Sequence, residues 1–301
     1  MPASRSRTHE WRRSLQQTLE RGGAIEIAIA HPEAHGQEPM AHMSGGDIVW
    51  RVRIVSLSDD EMVVEQPSAL GLPIEFTSGI HLVGAIAIGQ NRWTFRSMHI
   101  APAELRGPRP VRAMRICMPT TVERSIRRVL RVDTAALQLP HMEMWPLLDP
   151  RSVIVAERWN EVVFEASLLG EVKPLPADTE SMMPTVGPRF GATLMNLGGG
   201  GVGLRVEPED TVQLTRHRTF WMRLDLRPEI DVPICATGKV VHTHIDSSMR
   251  TYAGVQFDFS FHPTHEHFVA EQIRRYIMTQ QQLQQQAKRL VEDDGDVRVA
   301  A

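Results

Sequence analysis

The feature that most constrains the fold is a succession of short apolar segments separated by turn-forming residues. The segments are rich in valine and isoleucine, and in Ile48–Ile54 arginines alternate with apolar residues. This alternation is typical of a strand with one buried face. In the first part of the chain it predicts strands at Ala24–Ala30, Asp47–Val55, Glu61–Glu65, Ile80–Ile88, Arg92–His99 and Val111–Met118.

A second group of strand-like segments follows an arginine-rich stretch. Two of its members, Ser152–Ala156 and Glu161–Leu169, are predicted to form a hairpin around Arg158-Trp159-Asn160. The other predicted strands of this group are Arg131–Leu139, Phe190–Met195, Gly203–Val206, Thr219–Leu226, Ile234–Thr243 and Thr251–Phe259.

Helical periodicity is restricted to the two ends of the chain. Trp11, Leu15 and Leu19 predict a short amphipathic helix that packs on its own domain. A terminal helix is predicted to start at Thr264 and to close the second barrel, and the glutamine-rich residues 280–286 are expected to project from it into solvent. The apolar stripe of this helix consists of Phe268, Val269, Ile273, Tyr276 and Ile277.

These patterns predict a mainly β protein with two consecutive small antiparallel β-barrels and a C-terminal α-helix. The predicted units are a basic tail and short helix at 1–22, an N-terminal barrel at 23–119, an arginine-rich linker at 120–131, a second barrel with its helix at 132–279, and a polar helical extension and tail at 280–301. The sequence leaves open a homodimer contact through this extension.

Composition excludes several classes of function. The net charge of −3 argues against binding DNA or RNA through a basic surface, and the longest apolar stretch is too short to span a membrane. The two cysteines, Cys117 and Cys235, are far apart, which fits a reducing cytoplasm. No nucleophile motif is present, so we do not expect an enzyme, and we predict neither a cofactor nor a metal site.

Two motifs stand out against this background. The first is the cluster Arg127-Arg128-Val129-Leu130-Arg131, which precedes a predicted strand at the junction of the two barrels. The second is the turn Asn196-Leu197-Gly198-Gly199-Gly200-Gly201, which lies between two predicted strands. Glycines let a ligand approach the backbone closely, whereas no lysine-serine pair or helix follows as a P-loop requires. A plain tight turn is the alternative interpretation.

The order and spacing of these motifs, together with Tyr252-Ala253-Gly254-Val255-Gln256-Phe257 and the terminal helix, resemble a PilZ domain. The upstream barrel resembles the N-terminal domain of two-domain PilZ proteins of the flagellar brake type. The resemblance covers roughly residues 23–280. It implies two barrels and a cyclic di-GMP receptor that changes its interdomain arrangement and signals to a protein partner, such as a flagellar motor component.

The resemblance also implies which residues hold the ligand. Arg127 and Arg131, assisted by Arg128, would contact phosphates and guanines, Asn196 would contact a guanine edge, and Gly201 would shape the backbone. Guanidinium groups suit these contacts because they pair bidentately with phosphate and with guanine. Gly198 stands where the family has a serine, and its missing hydroxyl would cost about tenfold in affinity at most.

Three alternatives stay open at the level of sequence. Arg124 and Arg128 repeat the spacing of Arg127 and Arg131, so the functional pair could be shifted by three residues. The glycine at position 198 also fits a second interpretation. The chain would then be a degenerate PilZ protein that binds no nucleotide and acts as an interaction or dimerisation module. Two histidine groups have the spacing of metal ligands but lack a convincing further ligand in sequence: His242, His244 and Asp246, and His262, His265 and His267.

Overall fold

A computed structural model of the chain describes residues 11–30, 48–88, 91–105, 111–125, 140–170, 182–197, 200–246 and 249–299. Within these ranges the chain is mainly β, with helices at both ends and two inserted in its second half. The predicted fold class is therefore confirmed. The predicted strand at Arg131–Leu139 lies outside the described residues.

The first half of the chain forms a closed six-stranded barrel in the order β1-β6-β7-β8-β3-β2, which the pairing of β1 with β2 completes. Leu15 of the N-terminal helix is fully buried, so the helix packs on its own domain as predicted. The elements are α1 (Trp11–Glu20), β1 (Ala24–Ile29), β2 (Trp50–Leu57), β3 (Glu61–Glu65), β4 (Ser68–Ala69), β5 (Leu72–Pro73), β6 (His81–Ile88), β7 (Asn91–Leu105), β8 (Val111–Cys117) and β9 (Val122–Ser125).

The second half forms another six-stranded ring, in the order β11-β10-β13-β14-β15-β12, and the pairing of β11 with β12 closes it. All pairings within this ring are antiparallel. The elements are β10 (His141–Pro146), α2 (Val153–Leu168), β11 (Phe190–Leu197), β12 (Gly201–Val206), α3 (Thr211–Arg216), β13 (Thr219–Leu224), β14 (Ile234–Ile245), β15 (Thr251–Phe257) and α4 (His265–Val299).

Alternating burial along the strands explains why the sequence predicted them well. In β2, Trp50, Val52 and Ile54 are buried, whereas Arg51 and Arg53 between them are exposed. Burying one large apolar side chain contributes about 1.5–3 kcal/mol, so the alternation determines which face of each strand points to the core. The region 120–131 was predicted to be a linker. Its residues Val122–Ser125 form strand β9, which pairs with β7 of the first barrel.

The two barrels meet along one short seam. Leu197 at the end of β11 pairs in parallel with Trp50 at the start of β2, and the Leu197 amide donates a hydrogen bond of 2.6 Å to the Val49 carbonyl. Trp50 is fully buried at this seam. One end of the second barrel is thereby attached to the first barrel through main-chain contacts.

The predicted hairpin around Arg158-Trp159-Asn160 is wrong, because this region is helix α2. Its buried positions recur every three or four residues: Val153, Ala156, Glu157, Asn160 and Phe164. The β-branched residues of this segment favour strands locally, but packing of the buried face against β14 and α4 overrides that preference. A 3-10 turn (Pro150–Ser152) precedes the helix, and the Asp149 side chain at its start accepts from the Arg151 amide at 3.0 Å.

The prediction that residues 280–286 project into solvent is also wrong for half of the segment. The terminal helix continues to Val299, and Gln280, Gln281 and Gln284 are buried. Gln281 accepts from the Thr77 amide at 2.9 Å and donates to the Glu75 carbonyl at 3.0 Å, both in the first barrel. Gln284 pairs with the main chain of the same barrel, whereas Gln280 donates to the Glu229 carboxylate at 2.8 Å. The predicted apolar stripe holds at Val269, Ile273, Tyr276 and Ile277, so α4 spans both barrels.

Candidate functional site

Asn196 lies near the end of β11, at an irregularity in its pairing with β12. The register shifts between Leu194 and Asn196, and Asn196 then pairs with Gly203. Its side chain is half-buried and lies over Gly203, since a Cβ on that glycine would be 2.6 Å from the Asn196 Oδ1. Within the described part of the chain the Asn196 amide has no hydrogen-bond partner. It can therefore offer both its donor and its acceptor to the edge of a base.

A row of four residues crosses the outer face of the second barrel at this level. The pairings join Asn196 to Gly203, Gly203 to Gly254, and Gly254 to His242. A Cβ on Gly254 would lie only 2.1 Å from Cε1 of the His242 ring. The two glycines therefore leave room for the flanking asparagine and histidine side chains to lie flat across the sheet.

A second row on the same face adds a cation and two rings. Thr193 pairs with Arg205, Arg205 with Tyr252, and Tyr252 with His244. The rings of His244 and Tyr252 stack with centroids 5.0 Å apart. Arg205 lies 3.8 Å from a Glu207 oxygen, and its Nη2 donates to the Thr193 hydroxyl at 3.5 Å. Arg205 was not singled out in sequence, and Tyr252 and His242 were not linked to Asn196, because only strand register brings these residues to the same face.

Gly201 lies where β12 passes very close to β15. A Cβ at this position would lie 2.2 Å from the Val255 carbonyl oxygen and 2.9 Å from the Gln256 Cα. Gly201 is thus required by the close approach of β15, whereas Gly200 has open space around it. Gly198, where the family has a serine, lies outside the described residues.

The predicted arginines Arg127, Arg128 and Arg131 also lie outside the described residues. The described chain brackets them, however. It ends in β9 at Ser125 and resumes at Pro140, whose carbonyl accepts from the Leu194 amide at 2.9 Å. The chain therefore enters the second barrel beside β11, close to Asn196. Arg124, the alternative first arginine, belongs to β9 and pairs with Trp93 of the first barrel.

The two histidine groups have different surroundings. His242 and His244 lie on an exposed part of β14. His262 and His265, in contrast, are buried beside Glu157 and Glu161 of α2, while His267 is exposed. Burial raises the pKa of Glu157 to about 8 and is also the largest cause of the lowered pKa of His262.

No protein-family model matches the chain, and no curated protein matches it either. Among the described residues, none of the helices combines the length and the apolar character needed to cross a membrane.

Several solved structures are similar to this chain at a low level. The Bacillus subtilis inhibitor of motility MotI/DgrA is 10% identical over 84% of this chain and 96% of its own, with a TM-score of 0.28. The K. pneumonia MrkH complex with c-di-GMP is 12% identical over 88% and 92%, with a TM-score of 0.30. Escherichia coli YcgR in complex with c-di-GMP is 10% identical over 95% and 92%, with a TM-score of 0.25. The structural neighbours of this chain thus include proteins in complex with cyclic di-GMP and an inhibitor of motility.

Proposed function

We propose that the chain is a cyclic di-GMP receptor whose ligand lies on the outer face of the second barrel. The observation that carries this proposal is the position of Asn196. Its amide has no hydrogen-bond partner among the described residues and lies on the outer face of the barrel, directly beside the seam with the first barrel. The edge of a base can reach this amide, because Gly203 lets the Asn196 side chain lie flat on the sheet.

The arginine cluster supplies the charge that this surface needs. Arg127, Arg128 and Arg131 precede the point where the chain joins β11, and cyclic di-GMP carries two phosphates. In the proposed complex these guanidinium groups pair with the phosphates and the guanines, and the Asn196 amide pairs with a guanine edge. The nearby Arg205 and Tyr252 extend the surface with a cation and an aromatic ring, which suit a phosphate and a base.

The output follows from the location of the surface. Among the described residues, β11 pairs with β2 only at Leu197 and Trp50. A ligand that bridges the arginine connector and Asn196 would therefore bind next to this pairing. We therefore propose that binding reorients the barrels and exposes a surface to a protein partner, in motility control for example. This proposal involves no catalytic step.

The binding test is a calorimetric titration with cyclic di-GMP of variants in the arginine connector. Arg127→Ala and Arg131→Ala should each abolish the heat, because both are assigned to the phosphates and guanines. Arg124→Ala is the matched control, since this arginine belongs to the first barrel. Loss of binding in Arg124→Ala with retention in Arg127→Ala would overturn the assigned register.

A second titration tests the position of Gly198. Gly198→Ser should tighten binding by up to about tenfold, because it restores one hydroxyl contact. If no variant and no concentration gives measurable heat, the chain is instead a nucleotide-independent interaction module, which is the second candidate. Gly198 is the feature that favours that candidate.

A further inference from the structure

The start of the terminal helix carries a cluster of side chains that the proposed nucleotide site does not use. Glu157 and Glu161 lie one turn apart on α2, and His262 and His265 lie at the beginning of α4. One ligand atom each from Glu161, His262 and His265 lies within 4.8 Å of the others. The cluster joins the two helices beside β14.

The hydrogen bonds of His265 identify which of its nitrogens is free to bind a cation. Its Nε2 lies 2.9 Å from the Cys235 carbonyl oxygen, which can only accept, so Nε2 carries a proton. In the neutral ring Nδ1 then has a lone pair, and it faces Glu161 Oε1 at 2.7 Å. A proton can bridge these two atoms, and a metal ion that binds both of them would replace it. Donation of the other ring N–H to a main-chain carbonyl is typical of metal-bound histidine.

Glu157 lies against the ring of His262 on the side of its Nδ1. Its side chain is fully buried, and its Oε2 lies 3.2 Å from Nδ1 of His262. Neither of these two atoms has a hydrogen-bond partner among the described residues. Glu157 Oε1 accepts from the Thr237 hydroxyl at 3.3 Å, which points the carboxyl group at His262. The two buried atoms lie close enough to share one proton, which would satisfy both and hold the His262 ring in place.

We propose that Glu161, His262 and His265 bind one Zn²⁺ ion, with Glu157 holding His262 from behind. Nitrogen and carboxylate ligands suit this ion, which binds them at about 2.0–2.2 Å. In a tetrahedral site the ligand atoms would be about 3.4 Å apart. The three atoms now lie within 4.8 Å of one another, so small side-chain rotations would bring them to that spacing. His265 is fully buried, whereas Glu161 is 27% exposed, so the ion would enter from the side of Glu161.

The consequence of this ion would be to clamp α2 to the first turn of α4. The same helix reaches the first barrel through Gln281 and Gln284, so the clamp would fix the base of the element that connects both barrels. The site is separate from Asn196 and is proposed to act whether or not a nucleotide binds.

The test is a titration of the untagged, chelator-treated full chain with Zn²⁺, followed by calorimetry. We expect one saturable site per chain and an increase in melting temperature on saturation. Co²⁺ in the same site should give visible absorption bands of a tetrahedral ion. Absence of saturable binding would overturn the proposal.

Variants distinguish this site from other histidines of the chain. Glu161→Gln keeps the size of a partly exposed side chain and should weaken binding by about tenfold or more, with an unchanged circular dichroism spectrum. His267→Ala, an exposed histidine on the same turn, is the matched control and should bind as the wild type does. Unchanged affinity in Glu161→Gln, or loss of affinity in His267→Ala, would each contradict the assignment.

Discussion

The main-chain amide of Leu197 donates a hydrogen bond of 2.6 Å to the carbonyl of Val49, and this bond joins the two barrels one residue after Asn196. A ligand held by Asn196 would therefore contact a strand whose next residue belongs to the interdomain seam. The proposed link between binding and barrel arrangement depends on this proximity.

Saturation with cyclic di-GMP should change the small-angle X-ray scattering curve of the protein. The expected cause is reorientation of the barrels about the Leu197–Val49 contact. Asn196→Ala, measured at the same ligand concentration, should keep the curve of the free protein. Superimposable curves for the free and saturated wild type would contradict the proposed reorientation.

Replacing Gln284 should loosen the contact between α4 and the first barrel. Gln284 donates to the Ala30 carbonyl at 2.7 Å and to the His81 carbonyl at 3.0 Å, and it accepts from the His81 amide at 2.8 Å. Gln284→Ala leaves these buried groups unpaired and should lower the free energy of unfolding by about 1–3 kcal/mol in urea denaturation. Gln282→Ala, on the exposed side of the same helix, should have little effect. Equal effects would refute the role assigned to Gln284.

The glycine turn offers a stability test with an internal control. Gly201→Ala forces a methyl group against the Val255 carbonyl and should destabilise the protein by about 1–3 kcal/mol. Gly200→Ala meets open space and should be close to neutral. Thermal denaturation of both variants measures the difference. If Gly201→Ala has the melting temperature of the wild type, the close approach of β15 does not explain why a glycine stands at this position.

His99 should make the first barrel less stable as the pH falls. Burial lowers the pKa of His99 below its ordinary value of 6.5, although its Nδ1 lies 3.1 Å from the Thr77 carbonyl. The unfolded chain therefore takes up this proton more readily than the folded one. The contribution of neutral His99 is fully present above about pH 6.5 and is lost as the pH falls through the lowered folded-state pKa.

The variant His99→Phe removes this titration and keeps a ring next to Phe76, whose centroid lies 5.9 Å away. Its unfolding free energy should vary less between pH 7 and 5, as measured by urea denaturation at each pH. His244→Phe replaces an exposed histidine and is the control. Its unfolding free energy should depend on pH as that of the wild type does. An unchanged slope in His99→Phe would show that this histidine is not responsible.

Strands such as β2, β3 and β12 could be predicted from sequence because buried residues alternate along them with less buried ones. Strand β10, which follows Pro140 and ends at Pro146, was not predicted. Helix α2 could not be predicted, since the Val153–Val155 run favours a strand locally and only its packing against β14 and α4 makes it helical. The buried glutamines of α4 escaped prediction for another reason. Gln281 and Gln284 pair with main-chain groups of the first barrel and Gln280 pairs with Glu229. A polar segment looks the same in sequence whether it pairs with such groups or with water.

The site was predictable only where its residues are close in sequence. Asn196 and Gly201 stand out as one short motif, and the structure brings them to one end of the second barrel. Arg205, Tyr252 and His242 join them through strand pairings, and such register is not visible in the sequence. The cluster of Glu161 with His262 and His265 was hidden in the same way, because its carboxylate comes from the helix that the sequence suggested to be a hairpin.

The central claim is that Asn196 lies in a cyclic di-GMP site, and calorimetric titration of the wild type beside Asn196→Ala tests it most directly. Asn196 is half-buried at a strand end, so its replacement should leave the fold intact, which circular dichroism can verify. We expect saturable heat for the wild type and binding weaker by about tenfold or more for Asn196→Ala, because a pair of base-edge contacts is worth about 1–3 kcal/mol. Absence of heat in the wild type, or equal affinity in both proteins, would contradict the account.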